Sequence, residues 1–429
     1  MSESNASFVR DQMIPEAPPP ASETGAIKWM RENLFSSPLN TIMTVLAIWV
    51  IFSIFSSVAP WFKNGVWTGS SVRDCYKVLD GATGACFAVL KERWPQLIYG
   101  FKYPVSEYWR PNIAVVLLFL ALAPVLFRKV SRQLLWFTMI YPFFAFWLVW
   151  GGTILTPIVA FSGLSIGLYC FNKFLTNGFG ISLIGGSIAA LISWTIGGYL
   201  VEISDAFIAL KAVASRDMGG FMLNLLLGTI AVSLSIPLGI ALALGRQSEM
   251  PIIKWICILF IEFIRGVPLI TLLFVANVVL AYFFPPDTNI DLILRVIIMM
   301  TLFNSAYIAE VVRGGLSALP AGQYEAANSL GLDYAQAMRL IILPQALKVS
   351  IPGIVNVSVS MFKDTTLVSI ISMFDLVGMI RGPILASTEW NGVYWELFGF
   401  AALIFFVVCY GISQYSQWLE RQLETDHRQ

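Results

Sequence analysis

Long apolar stretches recur along most of this 429-residue chain and leave few folds open to it. A run of about 18 or more apolar residues is long enough to cross a bilayer as a helix, since each residue rises about 1.5 Å and the hydrocarbon layer is about 30 Å thick. Backbone N–H and C=O groups inside lipid find no water, so a spanning segment must satisfy them internally. With 57% hydrophobic and 12% charged residues, the chain lies outside the composition of soluble proteins. An all-α polytopic membrane protein is the expectation. A net charge of +1 with no dense basic run gives no sign of a nucleic-acid partner.

Residues 1–37 are polar, contain Pro18-Pro19-Pro20 and carry more acids than bases. They read as a partly disordered cytoplasmic tail ending in an amphipathic piece near Ile27–Phe35. No charged start leads directly into a short apolar core, which argues against a signal peptide. Residues 38–218 form a first membrane region, with spans expected at Leu39–Trp61, Ile113–Phe127, Leu134–Trp150, Leu155–Phe171 and Ile181–Leu200. The loop Phe62–Arg110 is too long for a simple connector. Its Cys75 and Cys86 have two readings: a disulfide if the loop lies in an oxidising periplasm, or two free thiols. Cys170, Cys257 and Cys409 sit in apolar segments and read as core filler. Trp61, Trp67, Trp109, Trp150 and Trp418 fall near expected span ends, where aromatic belts form.

A second region, residues 219–420, parses into Phe221–Gly245, Ile252–Phe283, Leu292–Val312, Leu343–Met373 and Trp395–Trp418, followed by a cytoplasmic tail at 421–429. Arg246, Lys254, Arg313, Arg339, Arg421 and Arg428 fall on one side of these spans, whereas the Pro285–Asp291 connector opposite has two acids and no base. By the positive-inside rule the loop at 314–344 is cytoplasmic, and so is the connector Arg128-Lys129-Val130-Ser131-Arg132. The loop at 62–110 fits less well. It carries seven bases (Lys63, Arg73, Lys77, Lys91, Arg93, Lys102 and Arg110) against four acids, yet falls outside. A cytoplasmic N-terminus with five preceding spans satisfies the remaining segments; an outside N-terminus with four is the alternative.

Within the cytoplasmic loop, Glu325-Ala326-Ala327 is compact helix-forming sequence. Gly331 supplies a stop where positive φ is cheap. Asp333 and Gln336 have the spacing of a capping box. Pro344 marks where a later helix starts or bends. Two short helices joined at a glycine elbow are expected between two spans.

The pattern here is EAA, three residues, Gly331, nine residues, then Ile341, Leu343 and Pro344. With Leu332 beside the glycine, it resembles the signature of the membrane subunits of bacterial ABC importers. Four further motifs are similar to those of the polar amino-acid importers (histidine, glutamine, glutamate and arginine type). They are Arg265-Gly266-Val267-Pro268-Leu269, Ala309-Glu310-Val311-Val312-Arg313-Gly314-Gly315, Gly322-Gln323 and Lys363-Asp364-Thr365-Thr366-Leu367. The resemblance runs from Gly219 to the C-terminus. The N-terminal part resembles, more loosely, the long-tailed permeases of general L-amino-acid importers. It implies a type I ABC importer permease core of five helices preceded by extra spans, in a bacterial inner membrane. It also implies that the EAA loop docks on a cytoplasmic ATPase, that a homologous permease subunit completes the pathway, more readily a different chain than a second copy, and that a periplasmic binding protein delivers substrate.

No Gly-Lys pair occurs, so a Walker A loop is absent, and the sole histidine is His427. No thiol, carboxylate or histidine cluster has metal spacing. Catalysis by this chain is not expected; ATP and Mg belong to a partner, and no cofactor is bound here. Charges within spans are costly and mark function. Glu262 and Arg265 share a helix face, as an ion pair or as substrate contacts. Arg265 lies about 16 Å past Lys254 along a straight helix, near mid-membrane, just before a Gly266–Pro268 break of the kind that lines transport sites. Asn356, Ser360 and Asp364 form a polar stripe flanked by Lys363, Thr365, Thr366 and Ser369, able to face substrate or to bond other helices. Glu310 and Arg313 read as a structural pair. The competing class is an ion-coupled secondary transporter or channel, which would show internal repeats and need no ATPase.

Overall fold

The computed structural model describes residues 25–127, 129–203, 208–279 and 291–425. The Pro18–Pro20 run, Arg128, the Pro285–Ile290 part of the acidic connector, the end of the span expected to reach Phe283, His427 and Arg428 lie outside the described residues. Among those described, nine helices are long and apolar enough to span a membrane, or ten when a bent pair counts as one span. Ten matches the five-plus-five parse of the sequence.

The described chain separates into two compact units. The first contains α1 (Gly25–Asn33), α2 (Pro38–Lys63) and residues 75–86. Ser37 caps α2 by accepting the Asn40 N–H at 3.2 Å, and Pro38 fills the first helical position, where a missing N–H costs nothing. A disulfide joins Cys75 to Cys86, with Cα atoms 5.7 Å apart.

The second unit contains α3 (Val72–Leu79) in part, α4 (Ala88–Glu92), α5 (Trp94–Tyr99), α6 (Trp109–Leu126), α7 (Leu135–Trp150), α8 (Leu155–Phe174) and α9 (Phe179–Ile203). A two-residue antiparallel pairing joins β1 (Gly152–Thr153) to β2 (Ala209–Leu210). Next comes α10 (Gly220–Arg246), then α11 (Pro251–Gly266) and α12 (Leu269–Phe274), which meet at 100°. Val267, immediately before Pro268, is extended (φ −109°, ψ 131°), because the proline ring disfavours helical backbone at the residue before it. The chain continues through α13 (Leu292–Ser317), α14 (Ala321–Ser329), α15 (Tyr334–Ala337), α16 (Leu343–Asp364), α17 (Leu376–Met379) and α18 (Tyr394–Thr425).

One expectation holds and one changes. Pro344 stands in the first turn of α16, where the sequence placed a helix start, although the helical run continues unbroken from Tyr334 to Ile371. A π-helical turn at Met338–Ile342 precedes the proline, and such a turn re-registers the backbone where a ring displaces the regular ladder. The basic outer loop is less exposed in charge than its composition implies. Arg110 is fully buried, donating to the carbonyls of Leu148 at 2.6 Å and Lys211 at 2.8 Å and pairing with Glu107 at 3.4 Å. Gly151 beside it has φ +77°, and a Cβ there would strike the Lys211 carbonyl, so glycine leaves room for the guanidinium to reach its acceptors. Arg93 pairs with Glu389 at 2.5 Å. One of the seven bases is thus spent inside the fold, and a second is paired at the surface.

One apolar cluster gathers Tyr103, Ala114 and Trp147 with Leu223, Leu227, Val296, Met300 and Val368, so α6 and α7 pack into the same core as α10 and α13. A second cluster, at the other end of α10 and α13, joins Ala243, Ile308, Val312 and Leu316 to Met338, Ile342 and Ala346. This second cluster is the floor on which the loop at 314–344 stands.

Candidate functional site: the elbow, the charge cluster and the polar stripe

At the elbow, α14 and α15 form where propensity and capping predict. Gly331 takes φ +70° and its N–H donates to the Asn328 carbonyl at 2.9 Å, closing α14. Both halves of the capping box are made: the Asp333 carboxylate accepts the Gln336 N–H at 2.7 Å, and the Gln336 side chain accepts the Asp333 N–H at 3.3 Å. Ala327 is fully buried beneath α14, Tyr324 packs on the second apolar cluster, and Gln345 of α16 donates to Gln323 at 2.9 Å. The outer side of the elbow is free within the chain. Glu325, Ala326, Gly331 and Pro344 are exposed, and Leu330, Tyr334 and Leu340 show 72%, 65% and 64% of their surface. Leu332, Ile341 and Leu343 are half-buried between the two sides. The result is a firmly mounted knob whose exposed side combines Leu330, Tyr334 and Leu340 with the charges of Glu325, Asp333 and Arg339.

A five-charge cluster stands beside that floor. Glu310 is its hub: it accepts from Arg246 at 2.7 Å and from Arg313 at 3.1 Å, and it lies 3.7 Å from Arg265. Arg246 also reaches Glu262 at 2.9 Å, and the Arg265 guanidinium sits 5.6 Å from the Tyr307 ring centre. Of the two readings of Glu262 and Arg265, the ion pair between them does not form. The two residues share a face of α11, but Arg246 at the end of α10 claims the first and Glu310 of α13 the second. Arg246 is the last residue of α10, and Glu310 lies about two turns from the end of α13. Arg265 therefore points toward the inner helix ends, shallower than the mid-membrane depth that a straight helix from Lys254 gives. The Glu310–Arg313 pair is present as the sequence indicated.

The polar stripe divides. Asn356, Ser360 and Lys363 are exposed on α16, and Asp364 is half-buried beside them. Asn356 and Ser360 make no side-chain hydrogen bond to another described residue. Thr365 turns inward instead: fully buried, it accepts from Asn224 at 2.9 Å and donates to the Phe362 carbonyl at 2.7 Å. Thr366 and Ser369 donate to carbonyls three residues back, those of Lys363 and Thr366. Thr365 is thus an internal bond, not a group open to a ligand.

Asn224 carries no local sequence cue that singles it out. Fully buried in α10, it donates to Thr365 and to Asp375 (3.1 Å) and accepts the Leu376 N–H at 3.0 Å. Asp375 caps α17 by accepting from Gly378 at 2.9 Å and Val377 at 3.2 Å. Burial pushes the Asp375 carboxyl up to about 6 despite these donors, which pull the other way. Arg246 was legible only as an orientation signal; its spacing from Glu262 and Glu310 carries no local cue. Among the described residues no group of three or more His, Cys, Asp or Glu side chains is placed to hold a metal ion.

Comparison with known proteins places this geometry. Residues 235–424 match the family model described as binding-protein-dependent transport system inner membrane component. Over 434 residues the chain is 50% identical to the glutamate/glutamine/aspartate/asparagine transport system permease protein BztC of Rhodobacter capsulatus, covering 99% of this chain and 100% of that protein. It is 37% identical over 419 residues to the inner membrane amino-acid ABC transporter permease protein YhdY of Escherichia coli, covering 96% and 98%. A solved amino acid ABC transporter with histidines is similar over 47% of this chain and 92% of its own, at 33% identity and a TM-score of 0.42. The chain, with its EAA elbow and its long apolar helices, belongs to the amino-acid ABC transporter permeases, the multi-pass inner-membrane subunits of polar amino-acid importers.

Proposed function

We propose that this subunit carries polar L-amino acids from periplasm to cytoplasm by alternating access, driven by ATP that separate cytoplasmic subunits hydrolyse with Mg. The observation that carries this reading is the elbow, a short helix pair stiffened by a made capping box and seated on the helix core. Glu325, Leu330, Tyr334 and Leu340 face away from the chain. A helix presented in this way fits a groove on a partner through one face. A knob seated on the apolar cluster of α10, α13 and α16 passes the partner's movement to those helices as a rigid body. In this scheme Glu325, Ala326, Gly331, Leu332, Ile341, Leu343 and Pro344 form or support the docking surface, with Ala327 as its inward peg. In this scheme ATP and Mg are bound by the partner subunits.

The transport path runs along the exposed stripe of Asn356, Ser360, Lys363 and Asp364, closed by a second permease subunit. A zwitterionic substrate needs an acceptor for its ammonium and a donor for its carboxylate, and Asp364 and Lys363 supply one each. A homologous but different chain is the expected partner subunit, since the N-terminal spans lengthen this one, and a periplasmic binding protein delivers the cargo. Acidic and amide amino acids, the cargo named for the Rhodobacter relative, are the first substrates to test.

Uptake by proteoliposomes holding the complex, the binding protein and radiolabelled glutamate or glutamine tests the reading. Accumulation should require enclosed ATP and be indifferent to sodium or proton gradients. Accumulation that follows an ion gradient without ATP would make the protein a secondary transporter.

A further inference from the structure

Helix α1 and its junction with α2 carry chemistry that transport does not use. Every residue of α1 is exposed within the described chain, including Ile27 (58%), Trp29 (58%) and Met30 (43%). With about 3.6 residues per turn, Ile27, Met30 and the following Leu34 fall on one side. Arg31, four residues after Ile27, lies at the edge of that side, and Lys28, Trp29 and Glu32 lie opposite. Lys28 and Glu32 stand 3.8 Å apart along the polar side, leaving Arg31 as the surplus charge.

The junction sets where this helix sits. Thr44 in α2 donates its hydroxyl to the Leu34 carbonyl at 2.9 Å, and Asn40 donates to Ser36 at 2.7 Å. Thr44 lies seven residues beyond the cap at Ser37, or about 10 Å along the helix. The end of α1 is therefore folded back level with the second turn of α2 and does not project into the aqueous phase. Because α2 is an apolar membrane-spanning helix, that level is the boundary of its bilayer. An amphipathic helix held there, with Ile, Met and Leu on one side, Arg31 at its edge and Lys28 and Glu32 opposite, has the pattern of a segment lying in the plane of the lipid headgroups, where a long arginine side chain reaches up to the phosphates.

We propose that α1 is an interfacial anchor that buries Ile27, Met30 and Leu34 in the membrane surface next to α2 and keeps Lys28 and Arg31 at the headgroups. The occupant of its apolar side is lipid. This rests on the geometry of the first unit alone and stands or falls separately from the ATPase-docking reading.

The test is spin-label accessibility in the intact complex, reconstituted in nanodiscs of about three parts phosphatidylcholine to one of phosphatidylglycerol, a composition to which basic interfacial helices bind. With Cys170, Cys257 and Cys409 replaced by alanine, single labels are placed by Ile27→Cys, Lys28→Cys, Met30→Cys and Glu32→Cys. The ratio of molecular-oxygen to nickel-chelate collision rates should be several-fold higher at positions 27 and 30 than at 28 and 32. Four equal ratios of the aqueous type would overturn the proposal, since the helix would then lie free in water. Shielding of 27 and 30 from both reagents would also overturn it, by showing that a protein surface covers the apolar side.

Discussion

Replacing Glu310 should cost this protein more than replacing Glu262, although both carboxylates pair with Arg246. Glu310 shows 18% of its side chain and holds Arg246, Arg313 and Arg265 at 2.7, 3.1 and 3.7 Å. Removing it leaves three guanidinium groups clustered with no central anion. Breaking a fully buried pair by deleting one partner costs about 3–5 kcal/mol, and the partial exposure of these arginines brings Glu310→Ala to about 2–3 kcal/mol. Glu262 shows 54% of its side chain and touches one arginine, so Glu262→Ala should cost under about 1 kcal/mol. Titration of each purified variant with SDS in mixed micelles, followed by tryptophan fluorescence, orders the two losses. Added salt should shrink the smaller one further, since exposed pairs are screened. Equal losses, or a larger one for Glu262, would refute the assignment of Glu310 as the hub.

Three further outcomes follow from the same structure. Asn224→Ala deletes two donated bonds and one accepted bond and strands the Leu376 N–H in the interior, a loss of about 2–4 kcal/mol by the same titration. Asp375 has its pKa raised from 3.8 to about 6, so the stability it contributes is full below pH about 4 and is lost as pH rises through about 6. From pH 7.5 down to pH 5, the native chain should therefore gain thermal stability relative to Asp375→Asn, and parallel pH profiles would remove this role. At Gly331 a Cβ meets nothing within 4 Å, so only backbone strain counts; Gly331→Ala should cost about 1–2 kcal/mol and Gly331→Asn clearly less, because asparagine tolerates left-handed backbone. The check is thermal unfolding followed by a thiol-reactive dye.

What sequence alone made legible was local. The spans could be read because apolar length is a direct requirement of the bilayer. The elbow could be read because Gly331, Asp333 and Gln336 act on backbone within a few residues. The break after Gly266 could be read because proline constrains the residue before it. What escaped depends on partners far along the chain. Glu262 and Arg265 look like a pair at helical spacing, but their partners come from α10 and α13, 16 and 45 positions away. Arg110 counts as an exposed base until the carbonyls of Leu148 and Lys211 close around it. Thr365 belongs to a polar stripe on paper, yet a slight tightening of the helix after Asp364 into a 3₁₀ turn faces it toward Asn224. Periodicity assigns a side chain to a face but does not say which helix that face meets.

The most direct test of the coupling elbow is copurification from mild detergent of the native chain and of Leu330→Glu. Leu330 is 72% exposed, so the charge should leave folding intact, which the thermal transition of the variant verifies. The native chain should bring down a nucleotide-binding subunit with ATPase activity, and the folded variant should lose most of both. A native chain that purifies folded and transport-competent without any ATPase, or a variant that retains it at the native level, would contradict docking at this elbow.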